Sequence, residues 1–240
     1  MGARVAAGDG VFEAVKVVDG RPFALDLHLA RLAHGAAAVG LPPLDQDDVR
    51  RRVAVALAAD HLPLGRLRIT CTGPGVVTVT ASAMTPHPDT TTIATAPWPR
   101  NERAAVAGLK ATAYAENVLA LARAEGAGEA VFATQAGRLC EGTTTNVFYV
   151  VDGELLTPSL ASGCLPGVTR ALVLQWYGGR ELDEPLAEVR GRADEVFLVS
   201  TTRDVQGVSR WDDRTLAAPG PVTREVAATW RRREPELLGP

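Results

Sequence analysis

The apolar and polar positions of the first hundred residues follow the periods of short strands and helices. VFEAVKVVDGRPFAL alternates in the manner of strands and is broken by a turn signal, whereas the residues after it carry apolar side chains three to four positions apart. The pattern predicts a hairpin turning at Asp19-Gly20, a helix from Asp26 to Gly40, a helix from Asp47 to Ala59, a hairpin turning at 73–75 and a strand over 91–96. This order predicts an α+β unit with mostly antiparallel strands.

Two prolines bracket a short polar break in the sequence Pro97-Trp98-Pro99-Arg100-Asn101. We therefore predict a small domain over residues 1–97, a linker over 98–103 and a large domain over 104–240. For the large domain the pattern predicts a helix over 113–125, a strand over 129–134, a hairpin, a strand over 148–158, a helix over 167–176, a strand over 193–202 and a helix over 223–232.

Composition and charge narrow the class of protein. The chain has 240 residues, is 46% hydrophobic and carries a net charge of −3 without a basic stripe. These values predict a globular protein with a substantial core and give no sign of a nucleic-acid or anionic-membrane binder. Neither a glycine-rich dinucleotide loop nor a P-loop occurs. The start of the chain lacks the apolar run of a signal peptide, so we expect a cytoplasmic protein whose partners are small molecules or a second copy of itself.

Few residues of this chain can serve as an amine nucleophile or a metal ligand. Of 25 basic Lys and Arg residues only Lys16 and Lys110 are lysines, and arginine cannot act as an amine nucleophile. A GC-rich genome explains the scarcity of lysine equally well. The three cysteines are far apart and are not spaced like metal ligands relative to the histidines, so we expect buried thiols and no metal site.

Three segments could each bind an anion. Arg31 lies in the first predicted helix, LPGVTR at 165–170 opens a later helix whose free N–H groups could bind a phosphate, and Ser200-Thr201-Thr202 ends a strand. Each has an ordinary structural explanation as well: a solvated arginine, a plain helix start and a polar strand end.

Taken together with Lys110 and with Glu141 in GRLCEGTTTNVF, these segments resemble the class IV, fold type IV, pyridoxal-phosphate enzymes. The resemblance covers nearly the whole chain, because six motifs occur in the family's order: GDGVFEAVKVVDG, HLARL, GLKATAYAENVLA, EGTTTNVF, CLPGVTR and DEVFLVSTT. It implies an α+β fold like that of D-amino acid aminotransferase, with a small α/β domain, a larger β-rich pseudo-barrel domain and pyridoxal 5'-phosphate between them. It also implies a homodimer.

The resemblance assigns roles to individual residues. Lys110 would bind the cofactor covalently through its amine and move the proton during catalysis, and Glu141 would pair with the pyridine nitrogen. Arg31 would bind the phosphate. The other residues implied to contact or order the cofactor are Asn146, Leu165, Gly167, Val168, Thr169, Thr201 and Thr202. Lys16, Arg68 and Tyr114 are weaker candidates for substrate contacts.

Two segments of this chain that differ from the motifs of known aminotransferases favour one reaction within this family. D-amino acid aminotransferases carry an Arg-x-His pair where this chain has CTGPGVVTV, and many branched-chain enzymes carry Gly-Gly-Asn-Tyr where this chain has ATAYAEN. The sequence is most similar to bacterial aminodeoxychorismate lyases, which form 4-aminobenzoate and pyruvate. An aminotransferase acting on branched-chain or D-amino acids or amines is the alternative, and an inactive binding homologue is a remote one.

Overall fold

A computed structural model describes residues 9–239 of the chain, which form two compact units. The first unit comprises residues 9–86, 109–113 and 233–239, and the second comprises 87–108 and 114–232. Both contain a sheet and helices, so the predicted α+β class is confirmed.

The first unit is a four-stranded antiparallel sheet in the order β2-β1-β3-β4 with two helices packed on it. Its elements are β1 (Gly10–Val18), β2 (Arg21–Pro22), α1 (Leu25–Ala38), α2 (Gln46–Ala58), β3 (Leu64–Thr72) and β4 (Val76–Ala83). Both predicted hairpins and both predicted helices are present.

Alternation decides which face of this sheet is buried. Val15 and Val17 of β1 and Leu67 and Ile69 of β3 are fully buried against the helices, since every second side chain of a strand points to the same face. Asp45 caps α2 by accepting a hydrogen bond from the Asp48 N–H at 3.0 Å. Sequence pattern and core therefore agree in this unit.

Two segments from distant parts of the sequence complete the first unit. Residues 109–113 lie beside β1, where Val11 and Ala111 form an antiparallel bridge. Residues 233–239 pass β2, where Phe23 bridges Leu238. The predicted division at 98–103 does not anticipate either segment, because both join the unit through pairing with strands far away in the sequence.

The second unit is built on a nine-stranded mixed sheet in the order β10-β9-β8-β11-β12-β5-β6-β7, with β13 paired to β12. Its strands are β5 (Thr90–Thr95), β6 (Glu129–Ala133), β7 (Leu139–Gly142), β8 (Asn146–Val151), β9 (Glu154–Thr157), β10 (Arg180–Glu181), β11 (Glu195–Ser200), β12 (Asp204–Trp211) and β13 (Arg214–Thr215). Its helices are α3 (Ala115–Ala122), α4 (Val168–Trp176), α5 (Leu186–Arg192) and α6 (Pro221–Arg233), the last of which ends one residue into the first unit.

Strand β5 belongs to this larger sheet and not to the N-terminal unit in which the pattern placed it. It runs parallel to both β6 and β12, and Ile93 at its centre is fully buried. Pairing with β12 brings together residues that are more than a hundred positions apart, which no local pattern reveals.

Other differences are local. The single strand expected over 148–158 is the hairpin of β8 and β9, because Asp152 and Gly153 both have positive φ and turn the chain. Helix α3 is shorter than predicted. Helix α5 and strand β12 were not predicted. Within residues 9–239 no helix has the length and apolar character needed to cross a membrane.

Candidate active site

Lys110 lies on the short segment that pairs with β1. Its carbonyl oxygen accepts a hydrogen bond from the Phe12 N–H at 2.9 Å, and the Thr112 N–H donates to the Gly10 carbonyl at 2.8 Å. The lysine side chain is half-buried, with Nζ 4.4 Å from the centre of the Phe12 ring. Because β1 holds the backbone at the Lys110 carbonyl and at Thr112, this strand sets where the amine can reach.

A fully buried carboxylate binds the predicted phosphate ligand Arg31. Arg31 donates from Nε to Oε1 of Glu13 at 2.8 Å and from Nη2 to Oε2 at 2.7 Å, in a bidentate pair. The His28 Nδ1 lies 2.8 Å from the same Oε2. Glu13 and His28 are both 0% exposed. This pairing engages Nε and Nη2 of the guanidinium and so fixes the plane in which Nη1 lies.

The pKa shifts of Glu13 and His28 define the protonation states of these two side chains. Burial raises the pKa of Glu13, but hydrogen bonds and charge from Arg31, with a smaller contribution from His28, outweigh it and lower the pKa to about 2. Burial lowers the pKa of His28, and the charges of Arg31 and Lys110 lower it further. The hydrogen bond and charge of Glu13 raise this pKa but do not outweigh burial. We therefore assign an ionised Glu13 and a neutral His28 that donates from Nδ1.

Sequence reasoning identified Arg31 but missed Glu13 and His28. A signal was available for both: Glu13 is a carboxylate at a core position of an apolar strand, and His28 precedes Arg31 by one helical turn.

The two weaker substrate candidates of the first unit have different surroundings. Lys16 is 3% exposed and its ammonium forms an ion pair with Glu234. Arg68 is exposed, with Cζ 4.0 Å from the centre of the Phe12 ring. Lys110 and Arg68 thus share one aromatic ring, and Arg68 is the better placed of the two for an anion near the Lys110 amine.

In the second unit Glu141 and Asn146 bind the segment before α4. The Leu165 N–H donates to Oε2 of Glu141 at 2.9 Å, and Nδ2 of Asn146 donates to the Leu165 carbonyl at 2.9 Å. The Arg100 Nη2 lies 3.9 Å from Oε1 of Glu141. Glu141 is therefore hydrogen-bonded to the backbone of Leu165, and Arg100 supplies positive charge beside the Glu141 carboxylate.

The start of helix α4 has the features of an anion site. Gly167 is its N-cap, and a Cβ there would lie 2.0 Å from Oδ1 of Asn146, so a larger residue would displace the Asn146 side chain from its bond to Leu165. Thr169 in the first turn is 2% exposed, and its Oγ1 is buried without a hydrogen-bond partner. The Gly167 N–H donates to the Leu165 carbonyl at 2.8 Å, so the N–H groups of the first turn begin with Val168 and Thr169. A buried unpaired hydroxyl beside these two N–H groups, which have no acceptor within the helix, suits a bound phosphate.

The chain between Glu141 and Asn146 turns tightly. The Gly142 N–H donates to the Thr145 carbonyl at 2.9 Å, and Nδ2 of Asn117 donates to the Thr143 carbonyl at 2.6 Å. A Cβ on Gly142 would lie 2.2 Å from Oγ1 of Thr145. Gly142 is therefore required by close packing within the turn.

The remaining predicted residues lie in a turn and at a helix start. Thr201 and Thr202 are half-buried in the turn between β11 and β12, which is closed by a hydrogen bond from the Arg203 N–H to the Ser200 carbonyl at 3.2 Å. Tyr114 is half-buried and is the N-cap residue of α3, without a side-chain capping bond.

The family is established by comparison with known proteins. Residues 10–211 match the family described as amino-transferase class IV. The chain belongs to this class IV family. Class IV enzymes depend on pyridoxal phosphate, which is accordingly the cofactor of this protein, as predicted. The fold type IV architecture expected from the sequence is likewise confirmed.

Individual class IV relatives are similar over most of their length. D-alanine aminotransferase of Bacillus licheniformis is 28% identical over 91% of this chain and 85% of its own. A hypothetical aminotransferase of Mycobacterium tuberculosis, solved with pyridoxal phosphate bound, superposes with a TM-score of 0.83 at 26% identity and covers 98% of this chain and 94% of its own. A Legionella pneumophila protein provisionally named 4-amino-4-deoxychorismate lyase gives a TM-score of 0.86 at 21% identity over 95% and 92%, and shows the shared fold.

The residues present fit this cofactor. The unpaired Thr169 hydroxyl at the start of α4 suits its phosphate, and the Glu141 carboxylate suits a protonated ring nitrogen. These individual roles, and those of Lys110 and Arg31, remain predictions.

Replacing the unpaired hydroxyl tests the phosphate role of Thr169. Thr169→Val should weaken pyridoxal-phosphate binding about tenfold, because a hydrogen bond to a charged group is lost. The apoprotein should keep its melting temperature, since the hydroxyl has no partner to lose. Binding is measured by quenching of tryptophan fluorescence and stability by thermal unfolding.

Thr157→Val is the matched control. Its hydroxyl donates to the Val147 carbonyl at 2.7 Å, so the substitution should lower stability and leave cofactor affinity unchanged. An unchanged dissociation constant in Thr169→Val would contradict the phosphate role.

The Glu13 pair should make stability depend on pH in the acid range. Unfolded Glu13 takes up its proton near pH 4.5 and folded Glu13 near pH 2, so the unfolded state holds more protons between these values. Stability due to this group is present above pH 4.5 and is lost as the pH falls, by up to about 1.4 kcal/mol per pH unit. Glu13→Gln should lack this part of the slope in urea unfolding between about pH 5 and 3.

Glu154→Gln serves as the control, because Glu154 also pairs with an arginine but is 51% exposed. In Glu154→Gln the free energy of unfolding should change with pH almost as it does in the wild type. Equal slopes in Glu13→Gln and the wild type would show that Glu13 is not held ionised as the structure indicates.

Proposed function

We propose that the protein is a pyridoxal-phosphate-dependent lyase that converts 4-amino-4-deoxychorismate to 4-aminobenzoate and pyruvate. The observation that carries this proposal is the β3–β4 hairpin. No Lys, Arg or His occurs from Ile69 to Pro86, which includes the position where D-amino acid aminotransferases carry their Arg-x-His pair for the substrate carboxylate. The hairpin has a short turn at residues 73–75 and presents hydroxyl groups along β4.

The roles proposed for the residues follow from their chemistry. Bound pyridoxal phosphate supplies an electron sink for a carbanion beside the substrate amine. Glu141 would keep the ring nitrogen protonated. Arg31, with Thr169, Thr201 and Thr202, would bind the phosphate.

Lys110 is proposed as the catalytic residue. Its Nζ would take the proton from the ring carbon that carries the amine. The enolpyruvyl oxygen then leaves from the adjacent carbon, a double bond forms in the ring, and the released enol takes up a proton to become pyruvate. All atoms of the substrate are recovered in 4-aminobenzoate and pyruvate, and the aromatic product favours the forward direction.

A D-amino acid or branched-chain aminotransferase is the second candidate. It is favoured by the similarity over 91% of this chain to the D-alanine aminotransferase of Bacillus licheniformis. In that case Lys110 would take and give back the same proton, and no bond to a leaving group would break.

The reaction is tested by supplying 4-amino-4-deoxychorismate to the cofactor-loaded protein. We expect 4-aminobenzoate, detected by its fluorescence, together with an equal amount of pyruvate. A panel of amino acids and keto acids is run in parallel. Transfer of an amino group without formation of 4-aminobenzoate would overturn the lyase proposal in favour of an aminotransferase.

The two lysines provide a matched pair of variants for this assay. Lys110→Arg should abolish both the near-violet absorption of lysine-bound cofactor and turnover, whereas Lys16→Arg should keep the absorption band. The opposite pattern would show that Lys16 binds the cofactor.

We further propose a homodimer. Three apolar side chains of α3 are unusually exposed for a folded chain: Val118 at 62%, Leu119 at 51% and Leu121 at 37%. Sedimentation velocity should give the mass of two chains, and Leu119→Glu should shift it towards one because a charge would be buried in the contact. A wild-type protein with the mass of one chain would contradict the proposal.

A further inference from the structure

Glu129 is a buried carboxylate that has no role in the proposed chemistry. It is the first residue of β6 and is 0% exposed. Its Oε1 accepts a hydrogen bond from the Thr144 N–H at 3.0 Å, and its Oε2 accepts one from Oγ1 of Thr144 at 2.7 Å. Burial raises the pKa of Glu129. A carboxylate is costly to bury, so its retention here calls for a compensating gain.

Arg203 pairs with Glu129 from the other side. Its Nη2 lies 3.3 Å from Oε2 of Glu129 and donates to the Gly128 carbonyl at 3.2 Å. Its Nη1 donates to Oε1 of Gln206 at 2.8 Å. The guanidinium is therefore bound to three residues and has little freedom to move.

These contacts connect two segments that the proposed function assigns to the cofactor. Thr144 lies in the tight turn that follows Glu141, the proposed partner of the ring nitrogen. Arg203 directly follows Thr201 and Thr202, the proposed phosphate ligands. The contacts Thr144–Glu129–Arg203 connect the turn after β7 with the turn after β11.

We propose that Glu129 is a positioning residue which, with Arg203, holds the Glu141 turn and the Thr201-Thr202 turn in the arrangement that binds the cofactor. This inference rests on the cofactor-binding roles given under the proposed function, and it is independent of whether the reaction is elimination or transamination.

Glu129→Gln isolates the contact with Arg203. The amide oxygen can still accept from the Thr144 N–H, and the amide nitrogen can donate to the Thr144 hydroxyl, but this nitrogen cannot pair with a guanidinium. Arg203→Met removes the same contact from the other side, together with the bonds to Gly128 and Gln206. We expect each variant to bind pyridoxal phosphate about tenfold more weakly than the wild type in titrations of the apoprotein. The double variant should bind no more weakly than the weaker-binding single variant, because both substitutions remove the same contact.

Glu195→Gln is the matched control. Glu195 is also a buried carboxylate at the start of a strand, and it accepts bonds from the N–H and Oγ1 of Thr223 at 2.8 and 2.7 Å. Its loss should lower the melting temperature without changing cofactor affinity, which separates a positioning effect from general destabilisation.

Pyridoxal, which has no phosphate, provides a second readout. Arg203→Met should weaken binding of pyridoxal phosphate more than binding of pyridoxal, because the turn it holds is assigned to the phosphate. Affinities of Glu129→Gln and Arg203→Met within about twofold of the wild type, or strictly additive losses in the double variant, would overturn the inference. A wild-type protein that binds pyridoxal phosphate but shows no lyase activity would overturn the proposed reaction alone.

Discussion

A carboxylate that leaves water must be surrounded by hydrogen-bond donors, and this constraint organises both units of the protein. Glu13 is compensated by a guanidinium and an imidazole, Glu129 by a threonine and a guanidinium, and Glu195 by the first turn of α6. Glu141 accepts a backbone N–H from the segment before α4. Each buried acid therefore fixes a second piece of chain, and three of the four fix a piece that carries proposed cofactor ligands.

Each unit carries a different kind of proposed cofactor ligand. The first provides cations on a rigid sheet: the amine of Lys110, held by pairing with β1, and the guanidinium of Arg31, held by Glu13. The second provides an anion and neutral donors, namely Glu141 and the first turn of α4 with its unpaired Thr169 hydroxyl.

Membership of the class IV family fixes the cofactor but not the reaction, because the same carbanion chemistry serves elimination and transamination. What differs among such enzymes is how the substrate is bound and whether a leaving group is present. In this chain the β3–β4 hairpin contains no basic residue from Ile69 to Pro86, and Arg68 just before it lies over the Phe12 ring that Lys110 also contacts. The specificity of the protein is therefore expected to depend on this sheet more than on the second unit.

The local elements and the family can be inferred from the amino-acid sequence without coordinates. Alternation, turn residues and helix starts predicted the hairpins of the first unit, α1, α2 and α4, and the ordered motifs identified the cofactor before any geometry was known. Only the tertiary structure placed β5 in the larger sheet, brought Lys110 to β1 and joined Glu129 to Arg203. The physical reason is that periodicity reports the environment of neighbours along the chain, whereas strand partners and buried ion pairs join residues far apart and depend on packing of the whole sheet.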